Sequence, residues 1–324
     1  MWWGVCMFKQ NLLAAIIMLA LSACGGSSSG EQDLVEVLPN SGSADIVGDC
    51  ADCGWNIDQW KLTLPVSQDD YYGTGGSNAA ELIPAACSGK ETLTNDTSLK
   101  YYWRETTPDL LYFKVHLDEV GATTAHSSYV RSELRELFNF DTADRCNSSK
   151  QNWPITGEHK LTSTLQIDQY PIISGVRPKV VLGQVHGYDI KQALVKLLWE
   201  GDDKPVRVIL NDSFADNNQT CTDCQPFSID LGVAKAYQQW QYMITVNLQG
   251  IKLQTTVDGV DTIMTLKWGE PVLANDGNYY TLSKNWLNET YYFKAGIYPQ
   301  INVNSAYSNQ VFEVGFSQIM ITHP

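Results

Sequence analysis

Tyr242-Met-Ile-Thr-Val-Asn-Leu-Gln-Gly-Ile-Lys-Leu-Gln-Thr-Thr-Val257 is the stretch that decides the fold. Tyr242, Ile244, Val246 and Leu248 alternate with Met243, Thr245 and Asn247, and Ile251, Leu253, Thr255 and Val257 resume the pattern after Gly250. A period of two puts successive side chains on opposite faces, as in a strand with one buried face. Two such runs around one glycine predict a hairpin at Gly250. The same signal recurs outward along the chain. Leu111, Phe113, Val115 and Leu117 alternate with Tyr112, Lys114 and His116, and Val206–Leu210 and Val311–Thr322 are rich in β-branched and aromatic residues. Asp258-Gly259 and Asn275-Asp276-Gly277 supply turn chemistry between runs. Only Leu231–Trp240 reads as helical, and no internal repeat is evident. From Asp52 onward the pattern predicts an all-β chain forming one sandwich or barrel.

The 324 residues are 44% hydrophobic, enough to bury a core of that size. The formal charge of −14, with no run of Lys or Arg, excludes nucleic acid as the natural partner. It leaves room for a local basic cleft that takes an anionic ligand.

The N-terminal region reads as an address. Lys9 precedes the apolar run Leu12–Leu21, and the small residues Ser22 and Ala23 follow it. Ten residues cover about half of a ~30 Å bilayer core, so the run fits a secretory signal rather than a membrane span. Leu21-Ser-Ala-Cys24 resembles the lipobox of bacterial lipoproteins. That resemblance implies cleavage before Cys24 and lipidation of its thiol and amine, and Gly25 in the next position implies the outer membrane. Residues 1–23 are thus the expected signal peptide. Residues 24–49 are the lipidated cysteine and a flexible tether that opens with Gly25-Gly-Ser-Ser-Ser-Gly30. Residues 50–324 are the folded domain. Cleavage would remove one Lys and no acid, giving a charge of −15.

Six cysteines lie beyond Cys24. Cys50/Cys53 and Cys221/Cys224 have C-x-x-C spacing, which leaves Cys87 with Cys146. An even number in an exported chain favours up to three disulfides, while two C-x-x-C pairs also suit a structural zinc site or redox chemistry.

Three segments interrupt simple alternation with polar residues. In Tyr129-Val-Arg-Ser-Glu-Leu-Arg-Glu-Leu137, strand geometry puts Arg131, Glu133 and Arg135 on one face. In Val180-Val-Leu-Gly-Gln-Val-His-Gly187, Gln184 and His186 share a face and Val185 takes the other. In Tyr291-Tyr-Phe-Lys-Ala-Gly-Ile-Tyr-Pro-Gln300, Lys294, Tyr298 and Gln300 share a face, with Pro299 marking a strand end or edge. Each segment alone also fits a solvated outer face or a structural histidine.

Together RSELRE, QVH and YFKAGIYPQ resemble the three motif strands of polysaccharide lyase family 7, the alginate lyases, and Trp60-Lys-Leu-Thr-Leu-Pro65 resembles the family's first strand. The resemblance covers about residues 52–324. It implies a β-jelly roll of two curved antiparallel sheets, with a polyuronate lying in a concave groove. It implies β-elimination, in which the C5 proton leaves, the O4-linked sugar is expelled and a C4–C5 double bond remains. Arg131 and Gln184 would neutralise the uronate carboxylate and the developing charge, since an Arg fork matches a carboxylate in bidentate fashion. His186 would take the C5 proton in guluronate, and Tyr298 would protonate the leaving oxygen and act as base and acid in mannuronate. Glu133 would orient Arg131 and Arg135, while Arg135, Lys294 and Gln300 would bind neighbouring uronates. These groove residues have a net charge of +2 despite the acidic whole. Valine in the middle of QVH implies, by resemblance, a lean toward mannuronate-rich blocks.

The resemblance implies no metal and no cofactor, and no HExxH, EF-hand, GxSxG or P-loop pattern occurs. His116, His126, His159 and His323 read as structural or surface groups, His126 being nearest the motif strands. The expected form is a monomer that touches the membrane only through its lipid. Other readings are a lyase for another polyuronate such as glucuronan, a non-catalytic surface glycan-binding lipoprotein, and a glycoside hydrolase. The last needs two facing carboxylates, but Glu133 and Glu136 fall on opposite strand faces.

Overall fold

A computed structural model describes residues 37–39, 57–84, 87, 100–125 and 127–324. Cys24, Cys50, Cys53, His126, the expected signal peptide and the expected tether apart from Val37–Pro39 lie outside the described residues. Val37–Pro39, read as tether, is a strand paired antiparallel with Val260–Thr262. In chain order the strands are β1 (Val37–Pro39), β2 (Trp60–Ser67), β3 (Ala79–Leu82), β4 (Tyr102–Thr106), β5 (Asp109–His116), β6 (Ser132–Glu136) and β7 (Trp153–Pro154). There follow β8 (His159–Gln169), β9 (Val180–Gly187), β10 (Ala193–Trp199), β11 (Arg207–Asn211), β12 (Pro226–Asp230) and β13 (Trp240–Asn247). The last are β14 (Gly250–Val257), β15 (Val260–Lys267), β16 (Pro271–Leu273), β17 (Tyr279–Thr281), β18 (Thr290–Pro299) and β19 (Val311–Thr322).

They form two large antiparallel sheets and a separate β16-β17 pair. One runs β1-β15-β14-β13-β8-β19-β5-β4, and the other β12-β11-β10-β9-β18-β6-β2-β3, with β7 added beside β18. The hairpin read at Gly250 is β13 and β14, paired from Trp240–Val257 down to Asn247–Gly250. Asn247 Oδ1 accepts from the backbone N–H groups of Gln249 and Gly250 and closes the turn. Tyr242, Ile244 and Val246 are fully buried, whereas Leu248 sits in the turn itself and is exposed. Asp258 and Gly259, both at positive φ, make the next turn, the geometry that suits the twist of the flanking strands.

Leu231–Trp240 is not helical. Its backbone groups bond to neighbouring segments instead of to one another. Leu231 N–H donates to Val206 O at 2.8 Å and Tyr237 N–H to Ile167 O at 2.9 Å. Ala236 N–H donates to Asp202 Oδ1 at 2.7 Å, and Ala234 O accepts from Trp199 Nε1 at 2.9 Å. Tyr237 adopts positive φ, which breaks any helical run. Tertiary contacts here override a weak local pattern.

One apolar cluster fills the interior and draws on both sheets. Tyr242 of the first sheet reaches across to donate to Leu182 O of the second at 2.9 Å, and Gly183 leaves room for its ring. Disulfides join Cys87 to Cys146 and Cys221 to Cys224, so the latter C-x-x-C pair is a local clip rather than half of a zinc site. The three polar segments become β6, β9 and β18. These are adjacent, in the order β9-β18-β6, at the middle of the second sheet.

Candidate active site

Register brings the polar positions together. Lys294 of β18 stands opposite Gln184 of β9 on one side and Arg135 of β6 on the other, and Tyr292 stands opposite His186. Glu133 is the hub, with 1% of its surface exposed. Arg131 Nη1 donates to its Oε2 at 2.8 Å, Lys294 Nζ pairs with the same oxygen, and Gln184 Nε2 donates to Oε1. Burial alone would raise the Glu133 carboxyl, but Lys294 and Arg131 outweigh it and hold the group below its usual range. Burial, with Arg131 next, lowers Lys294 to about 8 although Glu133 opposes the shift.

Tyr298 lies beyond this hub along β18. Arg131 spreads its guanidinium over the Tyr298 ring at 3.8 Å, in cation–π contact. Ser127 ties the two together. Its Oγ accepts from Arg131 Nη2 at 2.6 Å and lies 2.9 Å from the Tyr298 hydroxyl. Its own proton is directed to Tyr129 O at 3.0 Å, so the Tyr298 hydroxyl is the donor toward Ser127. Gly296 makes this placement possible. At φ +119° it forms the irregularity between Ala295 and Tyr298, and a Cβ there would come within 2.7 Å of Ser132 O.

His186 lies at the opposite end, stacked on Tyr292 at 5.4 Å and partly exposed. Its Nδ1 is 2.8 Å from Gly187 O. A carbonyl only accepts, so Nδ1 carries the proton and Nε2 keeps a lone pair. Burial first, then Lys294, lowers this imidazole to about 3, so it is neutral across the working range.

Arg135 is committed to the protein. Its Nη1 donates to the carbonyls of Glu136 and Gln151, its Nη2 donates to Asn152 Oδ1, and its face covers Tyr292 at 4.0 Å. Gln300 stands apart from the hub and turns its amide to the carbonyls of Tyr298 and Pro299. The structure therefore gathers Arg131, Glu133, Gln184 and Lys294 into one cluster, with His186 and Tyr298 flanking it. Arg135 lies beneath Tyr292, and Gln300 lies outside.

Residues 55–323 match the family model described as alginate lyase. The chain belongs to the alginate lyase family. It is a polysaccharide lyase, and its substrate class is the polyuronate alginate. Solved structures share its jelly-roll fold. An alginate lyase from Pseudomonas aeruginosa has 24% identity and a TM-score of 0.56, over 83% of this chain and 100% of the other. AlgAT5, of polysaccharide lyase family 7, has 24% identity and a TM-score of 0.54, over 83% and 95%. The alginate lyase from Klebsiella pneumoniae has 17% identity and a TM-score of 0.55, over 83% and 96%. No curated protein sequence matches the chain.

Sequence reading of this lyase missed three groove-side residues. Tyr292 was accessible, because it lies two positions before Lys294 and hence on the same face. Lys196 was not, because its place beside Gln184 comes from the β10–β9 register. Ser127 precedes β6 in a loop and gave no periodic signal.

The other face of β6 carries a second cluster. Glu136, fully buried, accepts from Trp153 Nε1 at 2.9 Å and from the Phe293 N–H at 2.7 Å, and its Oε1 lies 2.5 Å from His323 Nε2. His323 Nδ1 is 2.8 Å from His159 Nδ1, and His159 Nε2 faces Thr156 O at 2.9 Å. The carbonyl fixes a proton on His159 Nε2, so His159 Nδ1 accepts from His323. Trp153 stacks on His159 at 4.2 Å and closes the cluster.

Proposed function

We propose that the protein cleaves 1,4-linked alginate by β-elimination on this sheet face and releases oligosaccharides with a C4–C5 unsaturated non-reducing end. The observation that carries the reading is the order along the groove floor. A carboxylate-binding cluster of Arg131, Lys294 and Gln184 lies between a neutral imidazole and a tyrosine hydroxyl.

The C5 proton is only weakly acidic while its neighbouring carboxylate is ionised. Arg131, Lys294 and Gln184 supply positive charge and donors where the enolate-like charge develops; one such donor is typically worth about 10²–10³-fold in rate. Glu133 holds these three groups in place, and its own charge keeps Lys294 protonated. In guluronate the C5 proton and the leaving oxygen lie on opposite sides, so His186 Nε2 takes the proton and the Tyr298 hydroxyl protonates O4. In mannuronate both lie on one side, so the Tyr298 oxygen takes the C5 proton as its own hydroxyl proton passes to O4. A bound uronate carboxylate offsets the Lys294 and Arg131 fields that depress His186, which strengthens the base when substrate is present. Arg135 supports Tyr292 beneath His186, and Gln300 meets a neighbouring uronate at the end of β18. The lean is toward mannuronate-rich blocks. All these groups lie on one sheet of one chain, which supports a monomer as the working unit.

The signal-like segment and Leu21-Ser-Ala-Cys24 support a lipid anchor on Cys24 and an outer-membrane location. Labelled palmitate incorporated by the parent and lost in Cys24→Ser is the expected result; equal labelling of the two rejects the anchor.

The test of the activity is ultraviolet absorbance of the new double bond on mannuronate-rich, guluronate-rich and mixed alginate and on glucuronan. The expected result is a rise on alginate, fastest on mannuronate-rich polymer. A faster rise on glucuronan transfers the substrate to that polymer, and no rise on any of them rejects the reading.

A further inference from the structure

Every cation on the described floor of the groove is spoken for except one. Arg131 and Lys294 share Glu133, Lys61 pairs with Glu81 at 2.8 Å, and Arg135 is occupied by carbonyls and Asn152. Lys196 of β10 pairs with no carboxylate among the described residues, although it is half-buried. Its register partner is Gln184, so its side chain leaves the sheet on the groove face. Arg131 repels its charge, which places it within the field of the hub, and burial together with Arg131 lowers its proton affinity. Partial burial of an ammonium without a counter-ion is unfavourable unless an anion is supplied from elsewhere.

The surroundings say which anion. Lys196, Gln184, Lys294, Arg135 and Lys61 form one register row that crosses five adjacent strands. Neighbouring strands are about 4.8 Å apart, so Lys196 stands about 10 Å from Lys294. A chain of 1,4-linked uronates laid across the strands carries one carboxylate per ring. It therefore brings further carboxylates toward β10 when one is held at the hub.

We propose that Lys196 is a substrate-binding residue that takes the carboxylate of a uronate neighbouring the one undergoing elimination, on the β10 side of the groove. This rests on the lyase reading above. Lys196 touches no reacting atom in this scheme, so its contribution is to binding and to the length of chain the groove prefers.

The test compares the parent with Lys196→Gln and Lys196→Arg, following the double-bond absorbance on alginate polymer and on purified short uronate oligomers. Lys196→Gln is expected to raise KM for polymer about tenfold, the size of one charge-assisted hydrogen bond, with kcat within about twofold. Lys196→Arg should restore most of the affinity, and the gap between parent and Lys196→Gln should narrow as salt rises. Oligomers too short to reach β10 should show no gap. Equal KM for parent and Lys196→Gln on polymer at low salt overturns the proposal, as does a loss confined to kcat. An inactive parent instead rejects the lyase reading. Thermal melting of the three proteins separates these outcomes from misfolding.

Discussion

Glu133 and Glu136 sit three residues apart on one strand, both almost fully buried, and do opposite work. Glu133 faces the groove and is surrounded by charge: two cations and an amide hold it ionised. Glu136 faces the interior and is closed in by Trp153, the Phe293 amide and the His323–His159 pair. Both carboxylates are satisfied, which is the condition for burying a charge at all. They differ in what lies beyond the first partners. Beyond Glu136 there is aromatic core. Beyond Glu133 there are cations and donors on the sheet face that carries the partly exposed His186 and Tyr298. Burial of a charge is thus not in itself a mark of function; the mark is a charge whose partners remain available to something outside.

The largest expected effect tests the core side. Glu136→Gln removes the charge facing His323 and should destabilise the fold by about 3–5 kcal/mol, as for other broken buried pairs. In thermal melting the variant should lose stability, while the fraction still folded keeps kcat within a few-fold of the parent. Loss of kcat without loss of stability would erase the distinction between the two faces.

Glu133→Gln should differ in activity. The expected loss is about 10²–10³-fold in kcat/KM of the folded fraction, the usual scale for a disrupted charge-stabilising site. Stability should fall as well, because buried Arg131 and Lys294 lose their counter-ion. Glu133 also holds Lys294 protonated, so the alkaline limb of the pH profile should move to lower pH in this variant.

Gly296→Ala is next in size. A side chain at φ +119° is strained and meets Ser132 O, an effect of about 1–3 kcal/mol. Because the same glycine aims Tyr298, kcat should fall together with melting temperature.

The pH profiles give the finest comparison. Lys294, lowered to about 8, loses its proton as pH rises, so kcat/KM of the parent should decline above about pH 8. His186, lowered to about 3, stays neutral and should impose no acid limb until pH approaches that value. Stability follows a different course. His159 and His186 both bind protons less readily folded than unfolded, so the unfolded chain takes up more protons in acid. Stability should therefore be intact above about pH 6.5 and fall as pH drops below it. Melting temperature and kcat/KM measured over the same pH series check both statements.

Much of this was legible from the chain. Period-two runs such as Tyr242–Leu248 and the Asp258-Gly259 turn reported strands and their joins, because alternation and turn chemistry are local. Parity alone put Arg131, Glu133 and Arg135 on one face and Val185 on the other. What parity does not carry is pairing across strands. Lys294 meets Glu133 only through the β18–β6 register, and nothing in Ala193–Trp199 announces that Lys196 will stand beside Gln184. It also does not say which groups a side chain will spend itself on. Arg135 looked like a free fork but is consumed by Glu136, Gln151 and Asn152. His159 and His323 lie 164 residues apart and gave no sign of contact. Leu231–Trp240 failed as a helix for the related reason that its hydrogen-bond partners come from distant segments.

In the proposed mechanism His186 and Tyr298 divide proton transfer around the Glu133 hub. The most direct test is the initial rate of double-bond formation by the parent, His186→Ala and Tyr298→Phe on homopolymeric mannuronate and guluronate blocks. The account predicts that Tyr298→Phe loses activity on both, by about 10²–10⁴-fold. It predicts that His186→Ala loses guluronate cleavage by a similar factor and keeps a much larger share of mannuronate cleavage. Full activity in Tyr298→Phe, or an equal loss on the two polymers in His186→Ala, would contradict it.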